Sequence, residues 1–253
     1  MDTLAKALIS RASGQSKLRV DDVVICEVDL AMIHDSGGPR RVKPILDRLQ
    51  RQVWDKDKIV VVTDHYVPAD NAETQAIQAL TKQWVQDQSI DKFYDEQGIC
   101  HVVLPERGHL APGLFCVGGD SHSPTGGAFG AYMFGIGATE MAGVLATGEI
   151  WIKVPETILM SWRNQLNAYV TAKDMMLAMC RKIGMGGGRY QAIQYAGQTI
   201  QALSMQERMT LSNMAAELGA QSGLIAPDEA TVAFVQAAGG TVPANWRDFQ
   251  IEA

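Results

Sequence analysis

Short apolar runs alternate along the chain with longer stretches whose apolar positions recur every three or four residues, and this rhythm predicts strands interleaved with helices. Strands are expected over 22–32, 59–63, 101–105, 114–118 and 156–162. Helices are expected over 3–13, 42–52, 71–86, 139–147, 172–183 and 207–218. In the third of these, Ala72, Ala76, Ile77, Leu80 and Trp84 fall at helical spacing and read as core, with Asp70 or Asn71 as the cap. The alternation favours an α/β fold around a largely parallel sheet. Between 151 and 171 the pattern changes to a strand, then polar Arg163-Asn164-Gln165, then Thr171 opening a new helix. A boundary is expected there, separating a first α/β domain over 1–162 from the start of a second over 163–253.

Chemistry gathers where the apolar runs stop. Leu114 to Val117 leads into Gly118-Gly119-Asp120-Ser121-His122-Ser123-Pro124-Thr125-Gly126-Gly127, a glycine-rich turn crowded with an acid, a hydroxyl and an imidazole. The run ending at Thr63 is followed by Asp64-His65-Tyr66-Val67-Pro68, and the run ending at Ile33 by His34-Asp35. His101 opens the expected strand 101–105, while His109 reads as a loop residue. An imidazole titrates near neutrality and a neighbouring carboxylate fixes its tautomer, so such pairs can donate or accept protons. Any one of these histidines alone reads as a hydrogen-bonded strand-end group. Four of the chain's five at strand margins point to a site, because ligands bind at the carboxyl ends of strands in open α/β sheets.

Composition narrows the rest. At 253 residues and 47% hydrophobic, the chain is ample for a buried core. The net charge of -6, without a lysine or arginine cluster, lacks the footprint of a nucleic-acid binder. No apolar run approaches the length needed to span a bilayer, and the opening residues do not read as a signal peptide, so a cytoplasmic location without membrane contact is expected. Cys26, Cys100, Cys116 and Cys180 stand singly in apolar surroundings, which suits a reducing compartment and buried thiols better than a disulfide scaffold. Gly184-Met185-Gly186-Gly187-Gly188-Arg189-Tyr190 lacks the Gly-Lys-Ser/Thr ending of a P-loop and reads as a tight helix-to-helix turn. Asn213 and Glu217, four apart in an expected helix, would share one solvated face.

Several segments together resemble the large subunit of the aconitase superfamily, in its isopropylmalate isomerase and homoaconitase branch. They are Thr63 to Pro68, Gly98-Ile99-Cys100-His101, Gly119 to His122 through Gly135-Ile136-Gly137-Ala138-Thr139-Glu140, Val154-Pro155-Glu156-Thr157, Val170 to Asp174, and Leu211 to Ala220. The resemblance implies a three-layer α/β/α aconitase-like iron-sulfur domain. It implies reversible dehydration of a 2-hydroxy di- or tricarboxylate such as 3-isopropylmalate, helped by the open iron of a [4Fe-4S] cluster. Asp64 and His65 would then protonate the departing hydroxyl. His101 with Asp120, and His122 with Glu217, would orient the iron-bound water. His34 and Ser121 would line the substrate pocket, with Asn213 near the cluster.

The resemblance also implies what is missing. The family's cluster is held by a Gly-Ser-Cys-Thr type segment and a Cys-x-x-Cys, and neither occurs in this sequence, so no metal ligand is expected here. The family's carbon-proton base is a serine on a small swivelling subunit, which becomes the expected partner. The sequence is thus read as a fragment, a split subunit or a paralogue that has lost chemistry, inactive alone. Two other readings stand beside it. One is a divalent-metal hydrolase using His65, His101, His122 and nearby aspartates, and the other a non-catalytic chain that binds a partner subunit.

Overall fold

The computed structural model describes residues 3–252. Its strands are β1 (Val23–Glu27), β2 (Leu30–His34), β3 (Ile59–Thr63), β4 (Phe93–Asp95), β5 (Phe115–Gly118), β6 (Tyr132–Gly135), β7 (Glu149–Lys153), β8 (Thr157–Ser161), β9 (Ala192–Ala196) and β10 (Ser222–Ile225). The helices are α1 (Leu4–Ser13), α2 (Pro39–Leu49), α3 (Ala72–Asp87), α4 (Cys100–Glu106), α5 (Ala138–Thr147), α6 (Ala172–Ile183), α7 (Gln198–Ala202), α8 (Met205–Asn213) and α9 (Glu229–Ala237). A 3-10 stretch, Ser123–Phe129, continues the glycine-rich turn after β5.

The main sheet is wholly parallel, in the order β4-β3-β2-β5-β6. Because successive side chains in a strand point to opposite faces, β2 and β3 feed two cores. Ala31, Ile33, Ile59 and Val61 pack with Leu4, Leu8, Val42, Trp84 and Leu145 from α1, α2, α3 and α5. Leu30, Met32, Val60 and Val62 pack on the other face with Cys100, Val103 and Leu104 of α4, Met205 and Val235. Both faces are covered, which is why these strands read as unbroken apolar runs, and the result is the expected α/β/α layering. A smaller parallel sheet, β10-β9-β8, carries a third core with Met175, Met176 and Leu211. The strand β8 precedes the boundary expected after residue 162 and is hydrogen-bonded to β9.

Several expectations are corrected. The single strand expected over 22–32 is two, because β1 turns away at Val28-Asp29 to pair antiparallel with β7 while β2 enters the main sheet. The segment 101–105 is not a strand: it lies in α4, and the Cys100 amide at that helix's start is held by the Asp64 carboxylate. The buried stripe of α3 is Ile77, Gln78, Thr81, Trp84 and Val85, with Ala72 and Ala76 exposed; its cap is Asn71, in a reciprocal box with Thr74. The glycine run 184–190 joins a helix to a strand, α6 to β9. Its Gly188 and Tyr190 amides donate to Leu218 and Gly219, clamping the turn that carries Glu217. The helix expected to 218 ends at Asn213, and Met214 to Gly219 continue as i to i+3 turns. Asn213 and Glu217 therefore do not share a helix face.

Candidate active site

Three adjacent strands end on the same side of the main sheet, and each hands its chemistry to the loop beyond. His34 is the last residue of β2, Asp64 and His65 follow β3, and Asp120 and His122 follow β5. The helix α4, after β4, adds His101 from its first turn. The chain comes this close only because position 135 is glycine: a Cβ there would lie 2.4 Å from the Asp120 carbonyl oxygen.

Asp120 sits at the centre. Its Oδ1 accepts from His101 Nε2 at 2.8 Å and from the His122 amide at 2.8 Å. Its Oδ2 lies 3.6 Å from His65 Nε2 and 3.8 Å from His34 Nε2. The His101 hydrogen bond, helped by the His122 amide and opposed by burial, holds this carboxyl well below the usual carboxylate range. A carboxylate only accepts, so His101 presents Nε2–H to it.

His34 is buried, and its Nδ1 accepts the amides of Ser36 and Gly37 at 3.2 and 3.4 Å. Its Nε2–H therefore donates to the Gly119 carbonyl at 2.9 Å. Burial first, then the adjacent His65, lower its pKa and keep it neutral, against the pull of the Gly119 hydrogen bond. The two rings are stacked, with centroids 3.9 Å apart and planes inclined by 9°. His65 Nδ1 bonds Asp64 Oδ1 at 2.6 Å, while Asp64 Oδ2 takes the Cys100 amide at 2.6 Å. The pair is thus anchored to the start of α4, and the His65 Nε2 faces Asp120.

On the other side, His122 Nε2 meets Glu217 Oε1 at 3.1 Å, and Ser121 Oγ lies 3.3 Å from His122 Nδ1. Asn213 joins through Thr125, whose hydroxyl accepts from Asn213 Nδ2 at 2.8 Å and donates to the His122 carbonyl at 2.6 Å. Glu217 Oε2 is buried without a partner among the described residues. An open cavity of ≈ 510 Å³ runs past His101, Thr125, Asn213 and Glu217, with Met209 and Phe234 as apolar wall. The candidate catalytic and substrate-binding residues read from the sequence are therefore drawn into one connected cluster, directly or through Thr125.

His109 stays apart: it bonds the Tyr94 hydroxyl at 2.6 Å, and burial with the nearby Lys92 and Arg107 pushes its pKa down to about 4. Sequence reasoning missed Thr125 and the organising role of Asp35. Asp35 is fully buried and collects backbone amides from both neighbouring loops. The available signal was an acid placed directly after a buried strand.

His34, Asp35, Asp64 and His65 each bring a donor atom within 4.8 Å of the others, the spacing of a metal site. Most of their acceptor atoms, however, are already engaged, His65 Nε2 excepted. His34 uses both nitrogens on the backbone, Asp35 takes four amides, and Asp64 divides its oxygens between His65 and Cys100. A cation there would have to displace several of these bonds, and His101 and His122, the other histidines of the expected divalent-metal hydrolase, do not belong to this group. The thiols fit a cluster no better. Cys26, Cys100 and Cys116 are buried, and burial pushes each thiol up, Cys26 to about 12, so none is a ready thiolate. Among the described residues no cysteine joins a group of three potential ligands.

Residues 6–250 match the aconitase family (aconitate hydratase). The chain belongs to the aconitase family. It is 41% identical over 251 residues to the probable 3-isopropylmalate dehydratase large subunit of Methanothermobacter thermautotrophicus, covering 99% of this chain and 59% of that protein. It is 44% identical over 240 residues to the 3-isopropylmalate dehydratase large subunit 1 of Methanopyrus kandleri, covering 94% and 57%. The probable methanogen homoaconitase large subunit of Methanosarcina mazei is 44% identical over 214 residues, covering 84% and 55%. The chain spans less than two thirds of the length of these curated relatives. Among solved structures, aconitase X of Thermococcus kodakaraensis is similar at TM-score 0.47 with 9% identity, over 88% of this chain and 57% of that chain. No helix of the described residues is long and apolar enough to cross a membrane.

Proposed function

We propose that this aconitase-family chain supplies the proton-handling wall of a hydro-lyase that reversibly dehydrates a 2-hydroxy di- or tricarboxylate such as 3-isopropylmalate. The observation that carries the reading is the convergence of His34, His65, His101 and His122 on the single carboxylate of Asp120 at the carboxyl edge of a parallel sheet. The names of the relatives, large subunits of 3-isopropylmalate dehydratase and homoaconitase, point to the substrate class.

Loss of hydroxide from carbon needs a proton at the leaving oxygen. The Asp64–His65 pair suits that step: Nδ1 is engaged by Asp64, so a proton held at Nε2, on the edge facing Asp120, is the one free to move. Asp120 and Glu217 hold His101 and His122 by their Nε2 atoms, which orients these rings toward the departing or returning water. His34 forms the flat floor beneath His65, and Ser121 and Asn213 add polar groups for substrate. In the family an iron-sulfur cluster supplies Lewis acidity, and the cysteines of this chain do not fit it. The cluster ligands and the base for the carbon-bound proton are expected from further protein, including a small swivelling subunit, and the location is expected to be cytoplasmic.

The test is replacement of His65 or His101 by Ala in the assembled enzyme. A positioned proton-transfer group contributes about 10² to 10⁴ in rate, so kcat should fall by that factor in protein that remains folded. Near-normal kcat with only a lower Tm would assign the histidines to structure and reject the proposal.

A further inference from the structure

We propose that Asp35 is a positioning residue for the Asp64–His65 pair, holding the loop after β3 so that the Nε2 edge of His65, and not its Nδ1 edge, faces Asp120.

The Asp35 side chain is fully buried, and every hydrogen bond it receives comes from main chain. Its Oδ1 accepts the amides of Ser36 at 3.1 Å, Asp64 at 3.4 Å and His65 at 3.1 Å, and its Oδ2 accepts that of Tyr66 at 3.0 Å. A buried carboxylate is tolerated only when so satisfied. Its donors show what it does: three of the four are consecutive amides of the loop that carries the proposed acid. The carboxylate therefore ties the exit of β2 to the exit of β3.

The same group acts on the imidazole. Asp35 Oδ1 lies 3.8 Å from His65 Nδ1, on the side where Asp64 Oδ1 is bonded at 2.6 Å. Two carboxylates flank Nδ1, while Nε2 has Asp120 Oδ2 only at 3.6 Å. A proton on Nδ1 is favoured by both neighbours, so the neutral ring keeps Nδ1–H and leaves Nε2 for exchange with a bound molecule. The stack on His34, itself fixed by Ser36 and Gly37, completes the alignment. Asp35 touches no substrate-facing atom and acts through His65.

The inference rests on the proposed role of His65, but its test needs no turnover. In the 253-residue chain labelled with ¹⁵N and ¹³C, trans-hydrogen-bond couplings should connect the Asp35 carboxylate carbon to the amides of His65 and Tyr66. The neutral His65 ring should read as the Nδ1–H tautomer by its nitrogen shifts. Asp35→Asn keeps the volume and replaces one acceptor oxygen with a donor. Exchange at the His65 and Tyr66 amides should then accelerate at least about tenfold, and the His65 tautomers should mix. Absence of the couplings in the unaltered chain overturns the proposal, even if the variant fails to fold. A folded variant with a lower Tm but unchanged tautomer and exchange also overturns it, because that is the signature of a merely structural carboxylate. Expected couplings and tautomer beside an assembled enzyme insensitive to His65→Ala would leave Asp35 as a holder of the loop while removing the hydro-lyase reading.

Discussion

Replacing Asp120 by Asn tests the hub of the site through stability alone. The side chain is 18% exposed and accepts two short hydrogen bonds, from His101 Nε2 and the His122 amide. A hydrogen bond to a charged group contributes about 1.5–3 kcal/mol, a neutral one about half that. The amide can turn its oxygen toward His101 and His122, so both bonds survive in weakened form and the loss should be about 2 kcal/mol. For a domain of this size that corresponds to a Tm lowered by about 4–8 °C. The pH dependence adds a second constraint. Because the folded carboxyl titrates below its unfolded value of about 3.9, its contribution is fully present above that value and fades as pH falls through the folded pKa. Melting both proteins across pH 2.5 to 7 should show a gap that is constant near neutrality and begins to narrow below about pH 3.9. Equal Tm at pH 7, or a gap undiminished at the acid end, would refute the placement of Asp120 as an ionised acceptor.

Further expectations follow from the same geometry. Gly127→Ala would put a Cβ 1.9 Å from the Gly223 carbonyl oxygen, a main-chain atom and not the end of a flexible side chain, and should cost at least about 3 kcal/mol or abolish folding, read by urea denaturation. A thiol reagent should label Cys180 first, with Cys26, Cys100 and Cys116 reacting only on unfolding; rapid labelling of any of these three in the native chain would contradict their burial. Calorimetric titration with zinc or manganese should show no stoichiometric site, whereas tight binding abolished by His65→Ala would revive the divalent-metal reading.

Much of this arrangement was legible in the sequence for a physical reason. The strands β2, β3 and β5 are buried on both faces, so they stand out as apolar runs, and the polar residues that end them are the ones the sheet presents at its carboxyl edge. What escaped were features set by tertiary partners. His101-Val102-Val103-Leu104 has the composition of a strand, yet the chain turns at Gly98 and the Asp64 carboxylate takes the Cys100 amide, starting a helix instead. In β1 the residues Val23, Val24, Ile25 and Cys26 are apolar on both faces although only Val24 and Cys26 are buried, so nothing marked the break before β2. The strand β6 was hidden in a glycine-rich block, and β10 is only Ser222 to Ile225. Asp35 looked like half of another His-Asp pair, because the amides that define its role belong to a loop some thirty residues away.

In the proposed function this chain provides the acid–base wall of an aconitase-family hydro-lyase, and further protein supplies the rest of its chemistry. Its most direct test compares the purified 253-residue chain alone with the same chain combined anaerobically with a cluster-bearing segment and a small swivelling subunit. Dehydration of 3-isopropylmalate is followed by the absorbance of the unsaturated product. Expected are no turnover by the chain alone, turnover by the combination, and a loss of about 10² to 10⁴ in kcat when the combination carries His65→Ala. Turnover by the chain alone, or a combination that works equally well with His65→Ala, would contradict the proposed function.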